Sequence, residues 1–207
     1  KEQMIDSCQN AIQNYIEAYA RHIKNAKILD IGCGDGKYTS LFCHNNNEVV
    51  GLDIENRVRP EYKKFKFIKG NAENLPFADN FFDLIVSFDV LEHISDDSKA
   101  IKEMFRVLRK NGRLFLETPN RERLSYWILM LMGRKRKYPL ALAEDCVHLR
   151  EYTKCELEKK FKKNGFRKIK ISSFWFGLRS SLFDKGIVEP PKFLEKFCQL
   201  WIIRAGK

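Results

Sequence analysis

A short apolar run that stops at three alternating glycines, "KILDIGCGDGKYTS" from Lys27 to Ser40, limits what this chain can become. A strand that ends in this way must turn sharply. Gly32, Gly34 and Gly36 let its main chain approach a ligand that a Cβ would hold off. Asp53 stands 21 residues after Gly32, at the end of "VVGLDI". In nucleotide-binding α/β folds an acidic residue at about this separation grips ribose hydroxyls. The dinucleotide pattern G-x-G-x-x-G is not met, because Lys37 occupies the place of its third glycine. With Asp30 two positions ahead of the first glycine, the spacing suits a ligand with an adenosine, an ammonium and a carboxylate but no pyrophosphate. A helix beginning after Gly36 would also aim its first amides at an anionic group.

Around this turn, strand-like and helix-like segments alternate. The strand candidates are "KILDI", "EVVGLDI", "FKFIKG", "FDLIVSF" and "GRLFLET", followed by "KIKISSFWF" and "QLWIIRA". Between them lie "GKYTSLFCHN", a looser stretch near "LPFADN", and the helix "DDSKAIKEMFRVLRK". Ser95, Asp96 and Asp97 suit that helix's first turn, and Asn111-Gly112 is expected to stop it. A further helix over "TKCELEKKFKKNGF" has Thr153 as its cap and Gly165 as its stop. Near the start, Ile5, Cys8, Ile12, Tyr15, Tyr19 and Ile23 recur at steps of three or four, an amphipathic stripe in which the two tyrosines read as core. Alternating strands and helices predict a parallel sheet covered on both faces. No repeat or linker divides the 207 residues, so one domain is expected.

The composition is that of a globular chain, with 44% apolar and 31% charged residues. Its formal charge of +11 permits an acidic partner without selecting one. The six cysteines contain no CxxC pair and no regularly spaced histidine, which argues against a zinc site and a disulfide framework and for a cytoplasmic setting. No secretory signal opens the chain, and no apolar run reaches the roughly 18 residues of a membrane span. The chain opens on Lys1 rather than Met, as expected where the natural N-terminus lies further upstream.

"LDIGCGDG", "GLDI", "GNAENLPFADNFFDLIVSFDVLEHI" and "EMFRVLRKNGRLFLETPN" follow one another in the order of the motifs of class I S-adenosylmethionine-dependent methyltransferases, which the chain resembles over about Lys27–Asn120. The resemblance returns weakly at "HLREYTKCELEKKFKKNGF". It is to the small-molecule type, similar to the ubiquinone-biosynthesis O-methyltransferase group. The fold it implies is a Rossmann-like, doubly wound sheet of seven strands, mostly parallel with the last antiparallel, and helices on both faces. The cofactor it implies is S-adenosyl-L-methionine, a ligand of the kind the glycine spacing suits. On this resemblance Asp30, Gly32, Gly34 and Gly36 hold the methionine end. Asp53 holds the ribose, Ile54 packs on adenine, and Asn71, Ala72 and Glu73 read the adenine edge. Asn71 replaces the family's more frequent Asp. Phe88 and Asp89 border the transferred methyl.

The sulfonium already makes the methyl electrophilic, so the protein must align an acceptor and, for a hydroxyl, take its proton. Glu92, His93 and His148 are the candidates. Histidine titrates near neutrality, although His93 reads equally as a packing residue. The same "DVLEHI" resembles a divalent-metal segment of the ubiquinone enzymes, which would make Asp89, Glu92 and His93 an alternative ligand set; no metal is the preferred expectation. Residues 120–147 read as a lid and substrate region, in which Trp127, Leu129 and Met132 would be buried over the site. The apolar Tyr126–Met132 and the basic Arg134–Lys137 also suit peripheral membrane contact through 124–137. Methyl transfer to a small-molecule or lipid-like acceptor, at oxygen, is thus the expected activity. A nucleic-acid methyltransferase using the basic surface is the weaker reading, since the segment after the fourth strand has no proline motif. A non-catalytic scaffold that only binds the cofactor is weaker still.

Overall fold

The computed structural model describes residues 7–133, 137–143, 146–179, 184–188 and 190–207. Ile5 and the first three residues of the basic run at 134–137 lie outside them. Along the chain run α1 (Ser7–Ala20), β1 (Lys27–Ile31), α2 (Lys37–Ser40), β2 (Glu48–Asp53), β3 (Lys66–Lys69), β4 (Phe82–Phe88), α3 (Asp97–Val107) and β5 (Leu108–Pro119). There follow α4 (Leu124–Leu131), β6 (Leu140–Ala143), β7 (Cys146–His148), α5 (Lys154–Lys163), β8 (Arg167–Phe174), β9 (Phe176–Arg179), β10 (Asp184–Ile187) and β11 (Leu200–Gly206).

Seven strands form one sheet in the order β3-β2-β1-β4-β5-β11-β8. The first five are parallel neighbours, and β11 is antiparallel to both β5 and β8. The expected Rossmann-like sheet with an antiparallel last strand is therefore present. Strands buried on both faces need apolar side chains at every position rather than at alternate ones, and β1 shows the result. Leu29 and Ile31 join the core under α3 and α5, while Ile28 joins the opposite core under α1. In the second core Cys8, Ile12, Ile16 and Ala20 of α1 are buried, and the rings of Tyr15 and Tyr19 pack on Phe115. The two tyrosines thus belong to the core.

Two helices differ from expectation. α2 is a single turn, so it offers no helix terminus to an anion; Gly36 precedes it with φ +88°. α3 ends at Val107, four residues before Asn111-Gly112. Its last carbonyls, those of Arg106 and Val107, accept from the amides of Asn80 and Phe81 just ahead of β4, and Leu108 is already extended and paired with Phe82. Asn111, at φ +63°, instead turns the chain within β5. At the other end Asp96 caps α3 by accepting from the Lys99 amide. Thr153 and Glu156 form the reciprocal capping box of α5.

Two features carry the fold toward the site. Buried Asp97 accepts from Tyr152 at 2.8 Å and from Lys160 at 2.7 Å, and lies 3.0 Å from Arg150, which locks α3 and α5 to the segment between β7 and α5. Burial opposes its charge, but these donors hold its carboxyl below the usual range. The Leu149 amide also donates to the Glu92 carbonyl, bringing residues 147–149 against the turn after β4.

Candidate active site

In a parallel sheet the strand order reverses where successive connections leave for opposite faces, and ligands bind there beyond the strands' C-terminal ends. Here the reversal lies between β1 and β4. The glycine turn after β1, Asp53 closing β2, and the Phe88–Asp89 end of β4 all meet at this edge.

The three glycines have positive φ angles of 77°, 51° and 88°, and they do different work. A Cβ on Gly32 would stand 2.2 Å from Val90 Cγ2, and one on Gly36 would press against Phe65 and Tyr62 at 3.1–3.2 Å. A Cβ on Gly34 would meet nothing within 4 Å. Gly32 and Gly36 are therefore required for packing, and Gly34 is the glycine that faces open space. Its amide donates to Asp53 Oδ2 at 2.9 Å. The Glu55 amide lies 3.3 Å from Oδ1. A carboxylate has about four acceptor positions, so Asp53 fixes the loop and still has capacity for hydroxyl donors.

Asp30 is fully buried, with Oδ2 accepting from Thr39 Oγ1 at 2.5 Å and Oδ1 without a partner. Burial pushes its carboxyl up to about 7, with the Thr39 bond opposing and the Asp53 charge assisting. A buried, unsatisfied carboxylate beside a ligand loop fits a cationic group. Ile54, next along from Asp53, is 62% exposed, which fits a flat apolar ligand such as adenine. An open cradle at Gly34, an orphaned carboxylate and an uncovered apolar side chain together match the ammonium, ribose and base of S-adenosylmethionine.

The remaining expected contacts are placed less simply. Asn71 Oδ1 accepts from the Glu73 amide at 2.8 Å, and Glu73 Oε1 accepts from the Asp96 amide at 3.0 Å, so both side chains already shape this loop. Ala72 is buried in the core. The Phe88 ring is also core, packed edge-on between Tyr38 and Phe115, which leaves its main chain for the site. Asp89 has φ +53°, and its amide donates to Glu117 Oε2 at 3.1 Å.

Beyond Asp89, the structure brings together Glu92, His93 and His148, whose ligand-capable atoms all lie within 4.8 Å of one another. Asp89 is not in this group. Glu92 Oε2 accepts from Thr118 Oγ1 at 3.0 Å, while its buried Oε1 has no hydrogen-bond partner. Both histidine Nε2 atoms lie 3.9 Å from that oxygen. His93 Nδ1 is 2.8 Å from the Val147 carbonyl and His148 Nδ1 is 3.0 Å from Glu151 Oε1. Since those oxygens only accept, each Nδ1 carries a proton, and each Nε2 faces Glu92. Burial lowers the His93 pKa, the contact with the Val147 carbonyl opposes the shift, and neighbouring His148 adds to it. Burial and the Asp89 charge raise Glu92 well above the carboxylate range, and Glu117 is raised in the same way.

Several residues of this site carry no motif. Glu117, a buried carboxyl within the apolar "RLFLET", was marked only by its charge. Glu151 accepts from Arg123 Nη2 and Tyr138 OH, both at 2.7 Å, as well as from His148. Burial works against its charge, yet these donors hold its pKa at about 2. The acceptor-side helix α4 has no buried residue. Met132, expected to be buried, is 64% exposed and Leu131 83%. Trp127 is partly covered, by the ring of Phe197 and the Lys196 ammonium. α4 therefore leans on the 192–198 segment rather than closing with both ends.

Residues 29–116 match the family described as Methyltransferase domain. The Probable S-adenosylmethionine-dependent methyltransferase of Mycolicibacterium smegmatis is 37% identical over 98 residues, 45% of this chain and 38% of that protein. The ubiquinone biosynthesis O-methyltransferase of Pelagibacter ubique is 31% identical over 127 residues, 57% of this chain and 52% of that one. The chain thus spans about half or less of these relatives' length. A SAM-dependent methyltransferase structure from Thermotoga maritima superposes with a TM-score of 0.71 at 22% identity, covering 95% of this chain and 89% of the other, a likeness of fold. The matched segment contains the glycine turn, Asp53, and the Glu92–His93 turn, and the remaining strands complete the sheet around it. Residues 29–116 therefore match a methyltransferase domain, and the rest of the chain completes a fold like that of solved SAM-dependent methyltransferases.

Proposed function

We propose that the chain moves the methyl group of S-adenosylmethionine to an oxygen of a small-molecule or lipid-like acceptor. The observation that carries the reading is the grouping of Glu92 and His93, just past the end of β4, with His148, at the same edge of the sheet as the Gly34–Asp53 cradle. When bound, the cofactor supplies an electrophilic methyl on a sulfonium. The chain's own part is to seat that cofactor through Asp30, the glycine turn, Asp53 and Ile54, and to manage the acceptor's proton. An imidazole whose pKa burial lowers, as for His93, suits proton acceptance from a hydroxyl. His93, with 31% of its side chain exposed, is the more accessible of the two. Glu151 fixes the ring of His148 from its far side, a positioning role.

The oxygen acceptor is supported by the similarity to an O-methyltransferase and by proton-accepting groups that a more nucleophilic sulfur or amine would need less. Residues 1–207 act in this reading as one domain, with 120–147 as its acceptor side. Ile128, Met130, Leu131 and Met132 leave an exposed apolar surface on α4, which supports a lipid-like acceptor and peripheral contact with a membrane. No helix among the described residues is long and apolar enough to cross one.

The test is transfer of isotope-labelled methyl to a panel of phenols, hydroxylated lipids and RNA. Label in a hydroxyl compound, lost in His93→Ala, is the expected result; label in RNA alone would contradict it. Leu131→Glu should leave stability within about 0.5 kcal/mol, as at other exposed sites, and weaken sedimentation with anionic vesicles.

A further inference from the structure

We propose that Glu117, with Asp89 and Tyr38, holds the ammonium group of a hydroxylated amine, which on the methyl-transfer reading above is the acceptor. A carboxyl is costly to bury, yet Glu117 stands in the apolar run "RLFLET" and is only 2% exposed. Its Oε2 accepts from the Asp89 amide at 3.1 Å, and its Oε1 is buried without a hydrogen-bond partner. Folds leave few such atoms, and each calls for a partner that the chain does not supply.

The neighbours of Glu117 select the missing partner. Side chains alternate along a strand, so Glu117 lies on the same face of β5 as Phe115, toward the core beneath α1. Burial raises its pKa, and the charges that add to the shift, those of Asp89 and Glu92, are both negative. A cation would replace the proton that this environment retains. Tyr38 supplies an aromatic ring, edge-on to Phe88 at 5.5 Å; burial and then the charges of Asp89 and Glu117 raise its pKa. Ammonium has three donors and a full charge, which carboxylates and an aromatic ring together satisfy. A neutral hydroxyl would fill one lone pair and leave the charge uncompensated. The cofactor's own ammonium is matched by Asp30, which leaves Glu117 for a second cation. Asp89 is exposed while Glu117 is buried, so the pair runs inward from the surface. The Asp89 charge also acts on His93, so one molecule can present its amine to the carboxyls and its hydroxyl to the imidazole.

The test is calorimetric binding of matched compounds to the full chain saturated with S-adenosylhomocysteine: tyramine against para-ethylphenol, and sphingosine against oleyl alcohol. At least one amine should bind about tenfold or more tightly than its nitrogen-free partner, as a charge-assisted contact provides. Glu117→Gln keeps the shape of the side chain and should reduce that preference to within about twofold, without weakening the nitrogen-free compound. Asp89→Asn, at an exposed position, should lower the same preference about threefold or more, and decides the matter if Glu117→Gln does not fold. Melting curves and S-adenosylhomocysteine binding on each sample report the fold and the cofactor site. The inference is overturned if neither amine outbinds its partner on the unaltered chain, or if the preference survives in folded Glu117→Gln. It is also overturned if folded Glu117→Gln loses S-adenosylhomocysteine as strongly as the amine, which would give this carboxyl to the cofactor. An amine preference that depends on Glu117, with no methyl transferred to any hydroxyl, would count against the methyl-transfer reading and leave the cation site standing.

Discussion

Among single residues, Gly32 and Gly34 separate what the fold needs from what the ligand needs. Alanine at position 34 meets no neighbour and pays only for its left-handed backbone, about 1–2 kcal/mol. At position 32 alanine carries the same strain and strikes Val90 as well. Gly34→Ala should therefore lower the thermal midpoint less than Gly32→Ala while weakening S-adenosylhomocysteine about tenfold, which melting curves and calorimetry on both variants will check. Asp30 supplies a pH test. Its pKa is raised by burial to about 7, so the folded chain holds this proton more tightly than the unfolded one. The stability it contributes is full below about pH 4, the ordinary carboxyl value, and is lost as pH rises through about 7. A cationic ligand favours the ionised form, with Thr39 and Asp53 its other neighbours. Affinity for the cofactor product should accordingly rise from pH 6 to pH 8, and binding at pH 7 should release protons, visible as a dependence of the binding enthalpy on the buffer. Affinity flat across that range in Asp30-intact protein would contradict the assignment.

For the elements, local signals were good guides where the chain itself supplies the stop, and poor guides where a neighbour does. Thr153 and Gly165 bound α5 as read from the sequence, because a capping box and a left-handed glycine at φ +95° are local chemistry. Thr153→Ala should cost about 1 kcal/mol, measurable by denaturant unfolding. Asn111-Gly112 looked like the same kind of stop but is not, since α3 ends against the amides entering β4, partners some 26 residues away in sequence. The cofactor cradle was legible because its residues sit in one turn and at one strand end. His148 was legible only as a histidine ahead of a helix. Its position beside Glu92 depends on the Leu149 amide and the Asp97 clamp, long-range contacts that no local pattern reports. Glu117 and Glu151 escaped for the same reason.

At the scale of the molecule, the reversal of strand order between β1 and β4 puts the glycine turn, Asp53 and the Glu92–His93–His148 group at one edge of the sheet. The +11 charge has no comparable focus in this site, whose buried titratable groups include four carboxyls, Asp30, Asp53, Glu92 and Glu117. The central claim is that the Gly34–Asp53 cradle binds S-adenosylmethionine, and a calorimetric titration of S-adenosylhomocysteine into the unaltered chain and Asp53→Ala tests it most directly. Micromolar binding that the substitution weakens by roughly 2 kcal/mol or more, as loss of a charged hydrogen-bond acceptor should, is the predicted result. Binding of equal strength in both proteins, or none to the unaltered chain, would contradict it.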